Sequence, residues 1–398
     1  MGNPGQFFKN LGYEFEFLVA LGRSYHQGGD IGKLLYIASQ VQDGDAEGAF
    51  RAFYEAGEAA EKLGQHSADC GHRVSAREAY LWAASYFHTA GRFLDASPDP
   101  TRLTPTWARH QTCWEKSVAL FDPPAEVVAI PYEGTALRGW FFRPSPVAKR
   151  RPTLILNNGS DGPPMTMWTA GGAAAGARGY NCLIFDGPGQ GYALFRQNLH
   201  FRPDWEKVIT PVVNFLLTRM DVDAERIGIL GMSQAGYWAP RALAFEHRIG
   251  AGVIDPGVVD VSTIWVDHLP PELRRLIDND QKEAFDEALS NAPRDDKAVL
   301  DYRMRPFGMS SPFDVFKASL GYNLRGVAHH IRCPVLIIDP EDEQFWPGQS
   351  RELYELLNCP KTLVQFTAEE GANWHCEPVA EGLRDLRVFD WLDEQFGR

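Results

Sequence analysis

Residues 226–236, with the sequence RIGILGMSQAG, are the strongest indication of the fold. The first part of this stretch, 226–230, is apolar and suits a buried strand, whereas the residues from Ala235 onward suit a helix. Between them, Ser233 has small neighbours, which tolerate the strained backbone of a sharp strand-to-helix turn. Such a turn lifts its serine above the edge of a sheet. The stretch therefore predicts a nucleophile elbow, with Ala235 in place of the second glycine of the common G-x-S-x-G pattern.

Short apolar runs on both sides of this elbow predict a mostly parallel sheet. Several runs are continuous rather than alternating, as expected for strands that are buried on both faces. Helix-like stretches at 205–218 and 235–245 lie between them, which is typical of repeated βα units. The predicted strands cover residues 126–130, 136–142, 153–156, 181–185, 226–230, 252–254, 335–338 and 362–366.

The rest of the chain predicts two helical additions to this sheet. Apolar residues recur at spacings of three and four through the N-terminal region, where Ser75-Ala76-Arg77-Glu78 predicts a helix start near Ser75. Asp122-Pro123-Pro124 then interrupts the pattern. We therefore expect a helical cap domain over residues 1–122 and a catalytic domain over residues 123–398. Within the latter, residues 260–331 are helical in character and predict a lid insertion.

Bulk composition narrows the classes of function. The chain has 398 residues, of which 44% are hydrophobic and 23% charged, as in an ordinary globular protein. A formal net charge of -13 argues against nucleic-acid binding, because phosphate backbones favour clustered Lys and Arg. No apolar run approaches the roughly 20 residues that span a bilayer. Six cysteines without metal-ligand spacing favour reduced thiols.

These properties predict a cytoplasmic protein, and the partner expected from the catalytic residues described below is a small-molecule substrate. We expect no cofactor and no metal, because the sequence contains no ligand constellation for either. Neither a nucleic acid nor a membrane is an expected partner. The oligomeric state is left open, with a homodimer as one alternative.

A serine hydroxyl near neutral pH is a poor nucleophile, so it needs a base and a carboxylate that orients the base. In chains with this kind of elbow, the order is serine, acid and then histidine. His375 follows the predicted strand 362–366, whereas three other histidines come too early to follow the acid: His268, His329 and His330. We therefore expect His375 to be the base for Ser233.

The acid is expected just after the strand at 335–338, where four carboxylates stand close together. A Gly-x-x-Asp-x-x-Val-Pro run is common at this point of the chain, and residues 340–347 align with it by spacing. The alignment puts Glu343 in the acid position, with Asp342 as the alternative. The remaining candidates for the acid are Asp339 and Glu341. If neither is the acid, both are expected to be solvated charges of the loop.

Backbone donors must also face the oxygen that becomes negative during such a reaction. Their usual positions are the residue after the nucleophile and one residue in the loop after the third strand. Here these are the N–H groups of Gln234 and Ser160, and Gly159 permits a close backbone approach. Three side chains are candidate substrate contacts: Asp161, Tyr237 and Trp374. Asp161 is equally suited to stabilising a turn.

Four features together resemble the group of 2,6-dihydroxypseudooxynicotine hydrolase and the fungal polyketide chain-shortening hydrolases. They are the helical N-terminal region, the run FDGPGQG at 185–191, the elbow at Ser233 and the run GANWHC at 371–376. The resemblance extends over most of the chain. It implies an α/β-hydrolase fold, a Ser-Asp-His triad, and a substrate between cap and sheet. Ala235 and Glu343 depart from the pattern of the group.

The reaction implied by these residues is attack of Ser233 on a carbonyl carbon, with His375 as the base. Because the group cleaves carbon–carbon bonds in ketone-bearing molecules, the first expectation is such cleavage in an aromatic or polyketide-like compound. Carboxylester hydrolysis is the second expectation. An acyltransferase or a cyclase that forms carbon–carbon bonds in natural-product biosynthesis is the third. A catalytically inactive scaffold is the alternative from another class of protein.

Overall fold

Helices make up the N-terminal region of the chain. The computed structural model describes residues 6–147 and 149–397, so the first five residues of the predicted cap domain lie outside the described residues. The α-helices that precede the first strand are α1 (Leu11–Gly22), α2 (Ile31–Gln40), α3 (Ala46–Asp69), α4 (Arg73–Gly91) and α5 (Leu103–Ala119). These helices form the cap.

The start of α4 differs from the prediction. The helix begins at Arg73, and its N-cap residue His72 makes no side-chain capping bond, so Ser75 lies inside the helix rather than at its start. The Arg73 guanidinium donates to the carbonyl oxygens of Leu120 at 3.1 Å and Phe121 at 2.6 Å. These bonds hold the first turn of α4 against the end of α5, a tertiary contact that outweighs the local capping signal.

An eight-stranded sheet follows the cap, with the strand order β1-β2-β4-β3-β5-β6-β7-β8. Its strands are β1 (Glu126–Tyr132), β2 (Thr135–Phe142), β3 (Arg151–Asn157), β4 (Asn181–Phe185), β5 (Val222–Met232), β6 (Ala251–Asp255), β7 (Val335–Pro340) and β8 (Lys361–Phe366). β2 is antiparallel to both β1 and β4, and the remaining pairs are parallel. The predicted mostly parallel sheet is therefore confirmed, and every predicted strand overlaps an observed one.

Helices connect the strands and cover the sheet. Those before β6 are α6 (Pro164–Met167), α7 (Ala173–Ala177), α8 (Gly191–Gln197), α9 (Glu206–Leu217) and α10 (Ala235–Leu243). Between β6 and β7 lie α11 (Thr263–Val266), α12 (Pro271–Asp278), α13 (Lys282–Ser290), α14 (Arg294–Met304) and α15 (Pro312–Ser319). The last two are α16 (Gln349–Leu356) and α17 (Glu381–Gln395). The predicted helical insertion is thus present between β6 and β7.

The cap and the sheet share one hydrophobic core. Trp114 of α5 packs edge-on against Trp140 of β2, with 5.9 Å between ring centroids, and both side chains are fully buried. Large aromatic side chains dominate the energetics of such contacts. This packing fixes the cap on the sheet and determines where space is left between them. Among the described helices, none has both the length and the apolar character that a bilayer crossing requires.

Candidate active site

The predicted elbow forms at the carboxyl end of β5. Ser233 has a φ of 59°, in the left-handed region that few residues other than glycine adopt. Its backbone N–H donates to the carbonyl oxygen of Asp255 at 2.6 Å, which ties the turn to β6. A Cβ on Gly231 would overlap the carbonyl oxygen of Ala235. These contacts hold Ser233 in a strained conformation at the edge of the sheet, as functional residues often are.

The second position of the elbow that requires glycine is 236 rather than 235. A Cβ on Gly236 would overlap the carbonyl oxygen of Pro256, in the loop after β6. Only glycine permits that close approach of two backbones. Ala235 is fully buried at the start of α10, where its methyl group has room. The departure of Ala235 from the G-x-S-x-G pattern is therefore accommodated.

Ser233, His375 and Glu343 form one hydrogen-bonded chain. His375 Nε2 lies 2.9 Å from Ser233 Oγ, and Nδ1 lies 2.8 Å and 2.9 Å from the two carboxylate oxygens of Glu343. The backbone N–H groups of Phe345 and Trp346 also donate to Glu343, at 2.9 Å and 3.1 Å. An ionised carboxylate only accepts, so Nδ1 carries the imidazole proton. Nε2 is then free to accept the serine O–H.

The surroundings of Glu343 keep its carboxyl group ionised. Burial by itself would raise the pKa of Glu343, because a low-dielectric site disfavours charge. The positive charge that His375 has when it is protonated, and the hydrogen bonds from His375, Phe345 and Trp346, outweigh burial and hold the pKa of Glu343 below its usual value. At neutral pH, Glu343 is therefore a carboxylate that can orient the imidazole and stabilise its protonated form.

The alternative acid, Asp342, does not contact the imidazole of His375. Its carboxylate accepts from Asn373 Nδ2 at 2.5 Å, and its N–H donates to the Asn373 carbonyl at 2.8 Å. Asp342 thus joins the loop after β7 to the loop that carries His375. The two remaining carboxylates of this region are engaged elsewhere: Asp339 with Arg351, and Glu341 with the N–H of Ala368.

The loop after β3 approaches the nucleophile closely. A Cβ on Gly159 would lie 2.7 Å from Ser233 Cβ, so only glycine allows this approach. The Gly159 N–H donates to Asn158 Oδ1 at 2.9 Å. By contrast, the N–H groups of Ser160 and Gln234 donate to no other residue of the described chain. These two N–H groups are the ones expected to face a developing oxyanion.

Gln190 supports this loop, a role that the sequence did not predict. Its Nε2 donates to the carbonyl oxygens of Asn158 and Gly159, at 2.8 Å and 2.7 Å. Its Oε1 accepts from the N–H of Gly187 at 2.8 Å. The run at 185–191 therefore braces the backbone beside Ser233. A glutamine among glycines directly after a strand was the signal that could have indicated this role.

A cavity of about 860 Å³ opens over Ser233 and His375, between the cap, the insertion and the sheet edge. Its volume lies within the usual range of roughly 300–1,000 Å³ for small-molecule sites. Trp374 lines the cavity, as its prediction as a substrate contact requires. Other aromatic side chains of the wall include Tyr13, Phe15, Phe93, Tyr302, Phe345 and Trp346.

The two other candidate substrate contacts differ from each other. Tyr237 is fully buried, because α10 directs its ring into the core, and its hydroxyl donates to the Pro203 carbonyl at 2.9 Å. The structure therefore corrects the expectation that Tyr237 contacts substrate. Asp161 lines the cavity, but its carboxylate pairs with Arg92 at 3.1 Å and accepts from the Tyr302 hydroxyl. Asp161 is thus held by the protein's own side chains.

Comparison with known proteins gives relatives that match along their whole length. The chain is 31% identical to the hydrolase acrC of Aspergillus aculeatus, with 98% of each chain covered. It is 28% identical to the 20-hydroxy-prefusarin hydrolase of Gibberella moniliformis, with 96% of each covered. Among solved structures, a 2,6-dihydroxy-pseudo-oxynicotine hydrolase matches with a TM-score of 0.70 and 21% identity, over 93% of this chain and 94% of that one. No family model matches the chain.

Proposed function

Because the chain belongs to the family of the Aspergillus aculeatus hydrolase acrC and shares the α/β-hydrolase fold of the 2,6-dihydroxy-pseudo-oxynicotine hydrolase, we propose that it is a serine hydrolase with Ser233 as its nucleophile. The proposal gives His375 the role of base and Glu343 the role of acid. The observation that carries it is the unbroken chain of hydrogen bonds from Ser233 Oγ to the Glu343 carboxylate, at the wall of an apolar cavity.

The proposed reaction proceeds through an acyl-enzyme. Ser233 Oγ adds to a substrate carbonyl carbon while His375 Nε2 takes the serine proton, and Glu343 stabilises the imidazolium. The N–H groups of Ser160 and Gln234 donate to the oxygen that becomes negative. As the intermediate collapses, the leaving group takes the proton from His375. A water molecule, deprotonated by His375, then attacks the acyl carbon, and Ser233 recovers its proton.

The particular bond that we propose is a carbon–carbon bond next to a ketone. In a 1,3-dicarbonyl compound, the leaving group is an enolate, which becomes a neutral ketone when it receives the proton held by His375. The resemblance to carbon–carbon bond hydrolases supports this reaction. The aromatic wall, which includes Phe15, Phe345 and Trp374, supports an aromatic or polyketide-like substrate. An ester would follow the same steps, with an alcohol as the leaving group.

Labelling with a fluorophosphonate probe tests the nucleophile. We expect one probe per chain, located on Ser233 by peptide mass spectrometry, and none on the Ser233→Ala variant. Ser290→Ala is the matched control, because Ser290 is an exposed residue of α13 and should leave labelling unchanged. Undiminished labelling of Ser233→Ala would reject Ser233 as the nucleophile.

Product analysis in oxygen-18 water tests the reaction. Benzoylacetone is a suitable aromatic 1,3-diketone, and p-nitrophenyl butyrate is the matched ester. We expect the carboxylic acid formed from benzoylacetone to contain one solvent oxygen, because water attacks the acyl-enzyme. Turnover of the ester alone would replace the carbon–carbon assignment with a carboxylesterase. Acyl products without solvent oxygen would indicate transfer or cyclisation instead.

A further inference from the structure

Arg303 extends from α14 of the insertion into the wall of the cavity. Its guanidinium carbon lies 5.7 Å from the centroid of the Phe345 ring. The same ring lies 4.6 Å from the imidazole centroid of His375, in an edge-on arrangement. One aromatic side chain therefore separates the guanidinium from the imidazole beside Ser233. A molecule of moderate size in the cavity can reach both ends of this arrangement.

Arg303 is distinguished from the other arginines of the wall by its lack of a polar partner. Among the described residues, it makes neither an ion pair nor a hydrogen bond, and its ring contact is with Phe345. The other arginines of the wall have such partners: Arg92 with Glu16 and Asp161, Arg384 with the Cys376 carbonyl, and Arg23 with Thr89. Arg23 is also 3% exposed, so the protein itself encloses it.

The carboxylates nearest to Arg303 are already occupied. Asp161 and Glu16 are the acidic groups that favour its charge, but both pair with Arg92, whose own charge opposes that of Arg303. Burial is the larger effect and lowers the pKa of Arg303. An arginine nevertheless remains protonated in proteins. A cation in a low-dielectric wall without an acidic partner is unfavourable, and an anionic ligand group would relieve that cost.

We propose that Arg303 anchors a subsite for an acidic group of the substrate. The group has two coplanar oxygens that share one negative charge, as in a carboxylate or the enolate of a 1,3-dicarbonyl unit. Such a pair of oxygens matches the planar fork of a guanidinium, which can donate two parallel hydrogen bonds. The substrate is therefore an apolar molecule with this acidic group at one end and the reacting carbonyl at Ser233. This inference rests on the proposed function, because it names the substrate class of the same site.

Binding of matched charged and neutral probes tests the subsite without any reaction. The carboxylate pair is 6-phenylhexanoate with 6-phenylhexan-1-ol, and the enolate pair is 5-phenylcyclohexane-1,3-dione with its methyl enol ether. Isothermal titration with the Ser233→Ala protein gives the reference dissociation constants. The double variant Ser233→Ala/Arg303→Gln should bind an anionic probe about 10-fold to 100-fold more weakly than Ser233→Ala. This is the range for loss of a charged hydrogen-bonded pair. The neutral probes should change by less than about 3-fold, since they lose only packing.

Further variants separate the role of Arg303 from a general effect of charge or folding. Arg303→Lys should lose about 5-fold for the anionic probe, because an ammonium group cannot form the two parallel bonds. Arg274→Gln is the matched control, since Arg274 is an exposed residue of the same insertion that pairs with Asp267. It should leave every constant unchanged. If Arg303→Gln does not fold, Arg303→Met removes the same charge and keeps the apolar stem.

The outcomes are distinct. If Arg303→Gln weakens the binding of 6-phenylhexanoate but not of the dione, the acidic group is a carboxylate. If it weakens the binding of the dione alone, the acidic group is an enolate. Anionic probes that bind equally well with and without Arg303, or that bind neither protein, would overturn the subsite. Failure of Ser233 labelling would reject the proposed nucleophile, yet it would leave these binding constants unaffected. The two proposals can therefore fail separately.

Discussion

His375 contacts Glu343 through Nδ1 and Ser233 through Nε2, so replacement of the acid should affect the tautomer of the imidazole. In Glu343→Gln, the amide cannot hold the Nδ1 proton as a carboxylate does, and we expect kcat to fall by roughly 10⁴-fold. Asp342→Asn should change kcat by less than about 3-fold, because Asp342 bonds Asn373 instead. Rates with p-nitrophenyl butyrate measure both effects. A large loss in Asp342→Asn with little in Glu343→Gln would exchange the two roles.

Two buried carboxyl groups, Asp255 and Glu377, lie close to the hydrogen-bonded chain of Ser233, His375 and Glu343. Burial, and then the charge of Asp255, raises the pKa of Glu377 well above its ordinary value, although Arg384 opposes the shift. The folded protein therefore keeps this proton at pH values where the unfolded chain, with a pKa of about 4.3, has lost it. Stability must fall as the pH rises above that value, since the folded state binds more protons.

Glu377→Gln should remove this loss of stability, because an amide stays neutral at every pH. We expect its Tm to exceed that of the wild-type protein by about 2–4 °C at pH 8, for a gain of roughly 1 kcal/mol. At pH 4.5 the two Tm values should be nearly equal. Thermal unfolding of both proteins at the two pH values provides the measurement. A Tm difference that is the same at pH 4.5 and pH 8 would assign the effect to packing instead of titration.

The elbow between β5 and α10 depends on Gly236 more than on the residue at 235. A Cβ on Gly236 would overlap the Pro256 carbonyl oxygen, so Gly236→Ala must separate α10 from the loop after β6. We expect a loss of about 3 kcal/mol or more in the free energy of unfolding, the scale of a severe steric change. Ala235→Gly, which restores the common pattern, should cost only about 1 kcal/mol. Urea unfolding of both variants compares them, and a stable, fully active Gly236→Ala would contradict this reading of the elbow.

The elements were predictable where local pattern decides them. Continuous apolar runs predicted the strands because a buried parallel sheet admits little else, and the elbow at Ser233 followed from its neighbours. The start of α4 was missed because Arg73 bonds carbonyl groups about fifty residues away. Tyr237 was assigned to the cavity although α10 turns it into the core. Both errors concern contacts between distant segments, which spacing along the chain does not encode.

The shape of the cavity depends on the contacts that hold the cap, the insertion and the sheet together. Arg92, the C-cap residue of α4, connects all three. It pairs with Glu16 of α1 at 2.6 Å and with Asp161 of the loop after β3 at 3.1 Å, and its guanidinium lies 4.2 Å from the Tyr302 ring of α14. No sequence pattern indicated Arg92, because its partners lie in three separate segments. This side chain closes the wall of the site by joining parts that could otherwise separate.

Arg92→Met should therefore destabilise the molecule much more than loss of a surface ion pair. The Arg92 side chain is 17% exposed, whereas Arg325, which pairs with Asp260 and Glu352, is 49% exposed. Removing one partner of a buried pair costs about 3–5 kcal/mol, and an exposed pair contributes less than about 1 kcal/mol. Because Arg92 and Glu16 are only partly buried and Asp161 is exposed, we expect an intermediate loss of roughly 2 kcal/mol in the free energy of unfolding for Arg92→Met, and less than about 1 kcal/mol for Arg325→Met, both measured by urea unfolding. Equal, small losses would show that the cap stays closed over the cavity through apolar packing, without the ion pairs of Arg92.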